Sequence, residues 1–229
     1  MIISGNAAHI RIIMTLTAAV VMVLVTAGRF SAEANQFLKL ARVTDYGKTY
    51  TEIGRSALQQ GRYLHALRVL STAIQKKGPA EAYKLRAQAY YHLHRYDKAM
   101  ADVNRYVSGQ PQDLTALILR GDLYNLGLDH DRALRDFEQA VKLAPASVAA
   151  RLGEGIAFVG LEQYDRAVES FQKALELQPR NGDALVNLGV AYLLAGKSAK
   201  AREAFQTALA VGVAPDVQER VRVWMAQLH

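Results

Sequence analysis

Five alanines stand at positions 66, 99, 133, 167 and 201, at intervals of 33, 34, 34 and 34 residues, and each opens the same short pattern. In the clearest copy, EQYDRAVESFQKALELQP over 162–179, Ala167 is followed by Phe171, Ala174 and Pro179. Downstream the counterparts are Ala201, Phe205, Ala208 and Pro215. Upstream they are Ala133, Phe137, Ala140 and Pro145, then Ala99, Val103, Tyr106 and Pro111, and first Ala66, Leu70, Ala73 and Pro79. The apolar members fall three to four residues apart, the spacing of one face of a helix, and a proline stops each copy. A period of this size constrains the fold strongly. Each repeat is a unit that cannot bury its apolar face alone, so stacked neighbours must complete the core.

A second column precedes the first in every unit. Gly54, Ala87, Gly121, Gly155 and Gly189 sit where two helices must cross closely, and Tyr90, Tyr124, Phe158 and Tyr192 fill the space beside them, facing Phe137, Phe171 and Phe205. The joints between paired helices are short, such as LHR at 93–95 and LAG at 194–196, which makes the pairs antiparallel neighbours. The expected fold is all-α, a superhelix of antiparallel helix pairs in units 47–79, 80–113, 114–147, 148–181 and 182–215, after a lead-in segment at 35–46. Enlarging Ala133 or Ala167 should overpack a close crossing at a cost of about 1–3 kcal/mol. Residues 216–229, DVQERVRVWMAQLH, predict a capping helix with Asp216 as N-cap, Glu219 three residues on, and Val217, Val221, Trp224 and Leu228 on one face.

Residues 1–34 read as a separate unit. Ile12 to Ala27 holds no charge, follows His9 and Arg11, and leads to Ala32 and Ala34, an Ala-x-Ala pair after which cleavage would leave a chain starting at Asn35. The uncharged stretch is 16 residues, short of the roughly 20 that span a bilayer. The expected location is periplasmic after signal cleavage. The alternative is a single-pass inner-membrane anchor with the repeats outside the cytoplasm and membrane contact only through this segment. Arg29, Lys39, Arg42 and Lys48 act against that orientation.

Composition narrows the chemistry. The net charge of +7 arises from 28 Lys and Arg against 21 Asp and Glu, and no basic run exceeds the pair Lys76 and Lys77, so nucleic acid is not expected as a partner. The absence of cysteine excludes disulfides, thiolate metal sites and a cysteine nucleophile. His92 and His94 lie two apart on a helix and face different ways, and neither a metal-binding helix motif, a phosphate loop nor a nucleophile elbow occurs. No enzyme activity, metal or cofactor is expected.

The pattern of Leu188, Gly189, Tyr192, Ala201, Phe205 and Ala208 resembles the tetratricopeptide repeat, and five in-phase copies extend the resemblance over 47–215. Departures occur. Tyr50, Tyr83, Leu117, Arg151 and Leu185 stand where the motif often begins with tryptophan. Ala87 replaces glycine, Tyr106 replaces the last small residue, and Arg86, Arg120 and Glu154 replace a leucine. The resemblance implies a right-handed superhelix whose concave groove binds a protein or peptide segment. That is the work of a non-enzymatic scaffold, expected in envelope, secretion or pilus-like assembly, or else of a membrane-tethered structural or self-oligomerising module. The family's clamp for a C-terminal carboxylate is not matched, because Thr51, Arg55, Leu85, Thr115 and Leu119 occupy its positions. Carried over from the family, the inward-facing positions are Lys48, Arg55, Lys84, Gln88, Tyr91, Asp122 and Asn125 in a polar half. Leu152, Ile156, Val159, Val186, Val190 and Leu193 form an apolar half. The expected occupant is a protein or peptide segment, with a homo-oligomer or the capping helix as the other ways of covering the apolar half.

Overall fold

The computed structural model describes residues 46–228, and in it eleven α-helices follow one another. They are α1 (Tyr46–Gln59), α2 (Tyr63–Gln75), α3 (Glu81–His92), α4 (Tyr96–Gly109), α5 (Leu114–Leu126), α6 (His130–Leu143), α7 (Val148–Gly160), α8 (Tyr164–Leu177), α9 (Gly182–Leu194), α10 (Ser198–Val211) and α11 (Pro215–Ala226). Each odd-numbered helix up to α9 packs on the even-numbered one after it, and each even-numbered helix packs on the next pair. The odd-numbered helices also touch one another from pair to pair, α1 to α3 and onward to α9, whereas packing of that extent is absent between even-numbered helices among the described residues. Helices approach on the inner side of a curved stack, so the odd-numbered layer forms the concave face. The array is the expected all-α solenoid of antiparallel pairs.

Packing explains the two columns. Ala66, Ala99, Ala133, Ala167 and Ala201 are all fully buried. A Cβ added at Gly121, Gly155 or Gly189 would stand 2.7, 2.5 or 2.4 Å from the ring of Phe137, Phe171 or Phe205, and at Gly54 it would stand 2.4 Å from Leu70. The second unit departs in a compensated way: Ala87 replaces the glycine where the facing residue shrinks to Val103, and both are fully buried. Tyr106, in place of a small residue, is buried and donates its hydroxyl to Asp113 at 2.8 Å.

The turns and caps repeat as well. Gly61, His94, Leu128, Glu162 and Gly196, one per joint, hold φ between 55° and 72°. A non-glycine residue there costs about 1–2 kcal/mol, and His94, Leu128 and Glu162 carry that cost. Asp113, Ser147 and Asn181 cap α5, α7 and α9, accepting hydrogen bonds from the amides of Ala116, Ala150 and Ala184.

The C-terminal helix closes the stack. Val221 and Leu228 are buried, and Trp224 stacks on Phe205 at 5.7 Å between ring centroids. Its start differs from expectation: Pro215 takes the first turn and Ala214 precedes it, so Asp216 lies inside the helix, 3.8 Å from Arg220, and is not the N-cap. Proline is pre-organised for that position, and its missing N–H is one the first turn cannot use.

Two expectations are corrected. No helix among the described residues is long and apolar enough to cross a membrane. The helices run from 12 residues in α3 to 14 in α1, about 18–21 Å at 1.5 Å per residue, against a hydrocarbon core of about 30 Å. The transmembrane helix is therefore withdrawn. The periplasmic location and its inner-membrane-anchored alternative are withdrawn with it, since they rested on the 1–34 signal or anchor segment alone, which lies outside the described residues. Residues 35–45 of the lead-in segment also lie outside them.

Candidate functional site

The concave face is built from the odd-numbered helices, and the structure sorts its expected residues into three groups. The first holds the repeats together. Arg55 of α1 makes a two-pronged pair with Glu81 of α3, Nη1 and Nη2 donating at 2.9 and 2.6 Å. Lys84 of α3 donates to Asp113, the N-cap of α5, at 2.8 Å. Asn125 of α5 donates to the carbonyl of Gly153 in α7 at 3.3 Å. Burial alone would raise the Asp113 carboxyl, but bonds from Lys84, Thr115, the Ala116 amide and Tyr106 outweigh it and hold the group well below the usual range. These cations are committed to neighbouring repeats. Lys48 is exposed at the start of α1.

The second group converges. Gln88 and Tyr91 of α3 and Asp122 of α5, with Leu58 of α1, Ile118 of α5 and Ala149 of α7, line one depression of about 440 Å³. Asp122 is partly buried and has no hydrogen-bond or ion-pair partner among the described residues, and burial raises its carboxyl to about 6. Burial, followed by the nearby Asp122 charge, also pushes the Tyr91 phenol up. His92 sits on the rim, stacked on Tyr63 at 4.4 Å.

Asp122 gives a stability prediction. Its folded pKa lies above the unfolded value, so the native state binds more protons between about pH 4 and 6. Stability falls as pH rises through that window and stays reduced above it. Asp122→Asn removes the titration, so the variant should be more stable than the parent at pH 7.5, by up to about 3 kcal/mol. The gain should vanish near pH 3.5. Thermal melts across that range would show it, and a pH-independent difference would refute the assignment.

The third group is apolar. Leu152, Val159, Val190 and Leu193 are partly buried against the core of the last two repeats, and Val186 belongs to that core. Ile156 on α7 is 40% exposed. Ile156 is therefore the member of this half that presents most apolar surface on the concave side, while Val186 serves packing.

One polar column was visible in sequence only as a set of departures. Arg86 pairs with Asp102 at 2.6 and 2.8 Å, and Arg120 with Asp136 at 2.7 and 2.6 Å, each joining the two helices of one repeat. One repeat further on, both columns change together: Glu154 accepts from Ser170 at 2.8 Å and from Arg151 at 3.2 Å, which leaves Arg151 Nε buried without a partner. The first and fifth repeats hold Ile53 with Val69 and Leu188 with Ala204 at the same positions. The signal was the paired change at an offset of 16 residues, between elements that periodicity treats separately.

Among the described residues no three His, Asp or Glu side chains are placed to hold a metal ion. The architecture is thus that of a capped array of helix pairs with an open concave face. Residues 51–113 and 152–215 match the tetratricopeptide repeat family, and the chain belongs to it. Among solved structures it is similar to MamA, residues 41 to the end, from Desulfovibrio magneticus RS-1, at 25% identity and a TM-score of 0.66 over 73% of this chain and 95% of that one. It is also similar to MamA of AMB-1, at 21% identity and a TM-score of 0.63 over 73% and 99%. A thermophilic TPR protein of Thermus thermophilus matches at 20% identity and a TM-score of 0.64 over 79% and 99%. No curated protein matches the chain. Its class is that of a tetratricopeptide repeat array.

Proposed function

We propose that the chain is a structural scaffold that engages protein segments, a second copy of itself among them, through the concave face of α1, α3, α5, α7 and α9. The observation that carries this is the state of that face. A depression of about 440 Å³ opens across four of its five helices, and Ile156, 40% exposed, stands on the same layer beside the partly buried Leu152, Val159 and Val190. Polar groups that orient a ligand next to apolar surface that buries it is the usual arrangement of a peptide groove. Membership of the tetratricopeptide repeat family supports a scaffold that binds through its repeats. An envelope, secretion or pilus-like setting is not carried further, because it depended on the withdrawn location.

Ile156→Asp tests the proposal. The side chain is exposed, so stability should change by no more than about 0.5 kcal/mol. Sedimentation velocity of the purified chain and affinity capture from source cells should both show weaker association than the parent. A folded variant that associates as strongly as the parent does, in both assays, contradicts the proposal.

A further inference from the structure

We infer that the depression around Asp122 receives the lysine or arginine side chain of a partner segment, the carboxylate meeting its charged head while Tyr91, Ile118 and Leu58 enclose its aliphatic stem. The inference rests on the concave face being the binding face and specifies what that face selects.

Three observations carry it. Asp122 stands apart from the other carboxylates on or capping the odd-numbered helices. Glu52 and Glu81 are paired with Arg55, Asp113 with Lys84, and Glu154 with Arg151. Among the described residues Asp183 on α9 has no partner either, but it is exposed, whereas Asp122 lacks one although it is partly withdrawn from water. An unpaired, partly dehydrated carboxylate destabilises a fold, and a neutral residue would fill the same space, so packing gives no reason for the charge.

The second observation is the shape and chemistry around it. The cavity of about 440 Å³ is walled by Leu58, Ile118 and Leu119, with the Tyr91 ring and the Gln88 amide at its edge. Apolar walls suit the methylene stem of a long basic side chain, whose head needs a polar end. An aromatic ring beside that head adds attraction to a cation.

The third observation is what the face does not offer. Lys84 and Arg55, cations of the same face that could attract an acidic ligand, are engaged with Asp113 and Glu81. The complementary ligand for what is left is cationic. Charge complementarity of this kind sets specificity in a groove whose apolar half is indifferent to sequence.

Random peptides displayed on phage and selected against the full chain test this. Asp122→Asn serves as the charge variant and Ile156→Asp as the groove control. The expected result is a selected set sharing a lysine or arginine at one position. Synthetic peptides from it should lose about tenfold or more in affinity when that residue becomes norleucine, and lose as much on Asp122→Asn. A selected set that lacks a shared basic residue, or that binds Asp122→Asn as well as the parent, overturns the inference and leaves the groove standing. Failure to select any peptide, or selection of peptides indifferent to both Ile156→Asp and Asp122→Asn, overturns the concave-face reading and the inference with it.

Discussion

Phe137→Ala is expected to destabilise the array by about 3–5 kcal/mol, the largest packing loss available to a single substitution in its middle. The ring is fully buried. It lies between two helices of successive repeats: a Cβ at Gly121 of α5 would stand 2.7 Å from it, and one at Gly153 of α7 would stand 2.1 Å away. Ala133 and Ala157 complete the cluster with Ile118, Tyr124 and Leu134. Truncation would therefore remove a central packing contact between the third repeat and the fourth, and helices held apart by their other neighbours collapse only partly into the space. Because stability in a repeat array is a sum of local interface terms, the weakened joint should also broaden the transition in urea. Leu143→Ala on the same helix, where the leucine is exposed, should change stability by less than about 0.5 kcal/mol. Equal effects of the two substitutions would show that Phe137 does not bridge the repeats.

Asp136→Ala is expected to cost a comparable amount, about 3–5 kcal/mol, for a different reason. Its side chain is 6% exposed and holds the Arg120 guanidinium in a two-pronged pair. Removing the carboxylate leaves a cation in a site with 21% exposure and nothing to replace its partner. The pair itself is expendable. Arg120→Leu combined with Asp136→Ala reproduces the Leu188 and Ala204 arrangement that the fifth repeat already uses, and replacing both members of a buried pair by apolar residues is often neutral or stabilising. The double variant should recover most of the loss, and a double-mutant cycle in urea measures the coupling. A double variant as unstable as Asp136→Ala would mean that the pair contributes more than mutual neutralisation.

These two sites also show how far the sequence was informative. The Gly121 and Phe137 crossing was legible because a small residue and a ring recur in phase, and a helical array is the arrangement that brings such columns together. Gly153 was not singled out. Its column holds Leu85, Leu119 and Asn187 elsewhere, so its close approach to Phe137 belongs to one joint and not to the repeat. Arg120 stood out as a departure, but its partner lies across a helix pair, and only the joint change to Glu154 and Ser170 encodes the link. In the groove, the resemblance to the family implied which helix face turns inward and nothing of what its side chains do. Arg55, Lys84 and Asn125 are engaged by neighbouring repeats, and Val186 is absorbed by the core. The unpartnered state of Asp122 depends on where those three point, which no spacing rule conveys. The withdrawn transmembrane helix came from a segment, 1–34, that lies outside the described residues.

Association through the odd-numbered layer is tested most directly by a photo-crosslinking residue introduced in cells of the source organism. It would be placed at Gln88 or Ile156 on the concave face, and at Leu143 or Leu177 on even-numbered helices. Adducts, whether with a partner or with a second copy, are expected from Gln88 and Ile156 and not from Leu143 or Leu177. Adducts from the even-numbered helices alone, or from neither layer, would contradict association through the concave face.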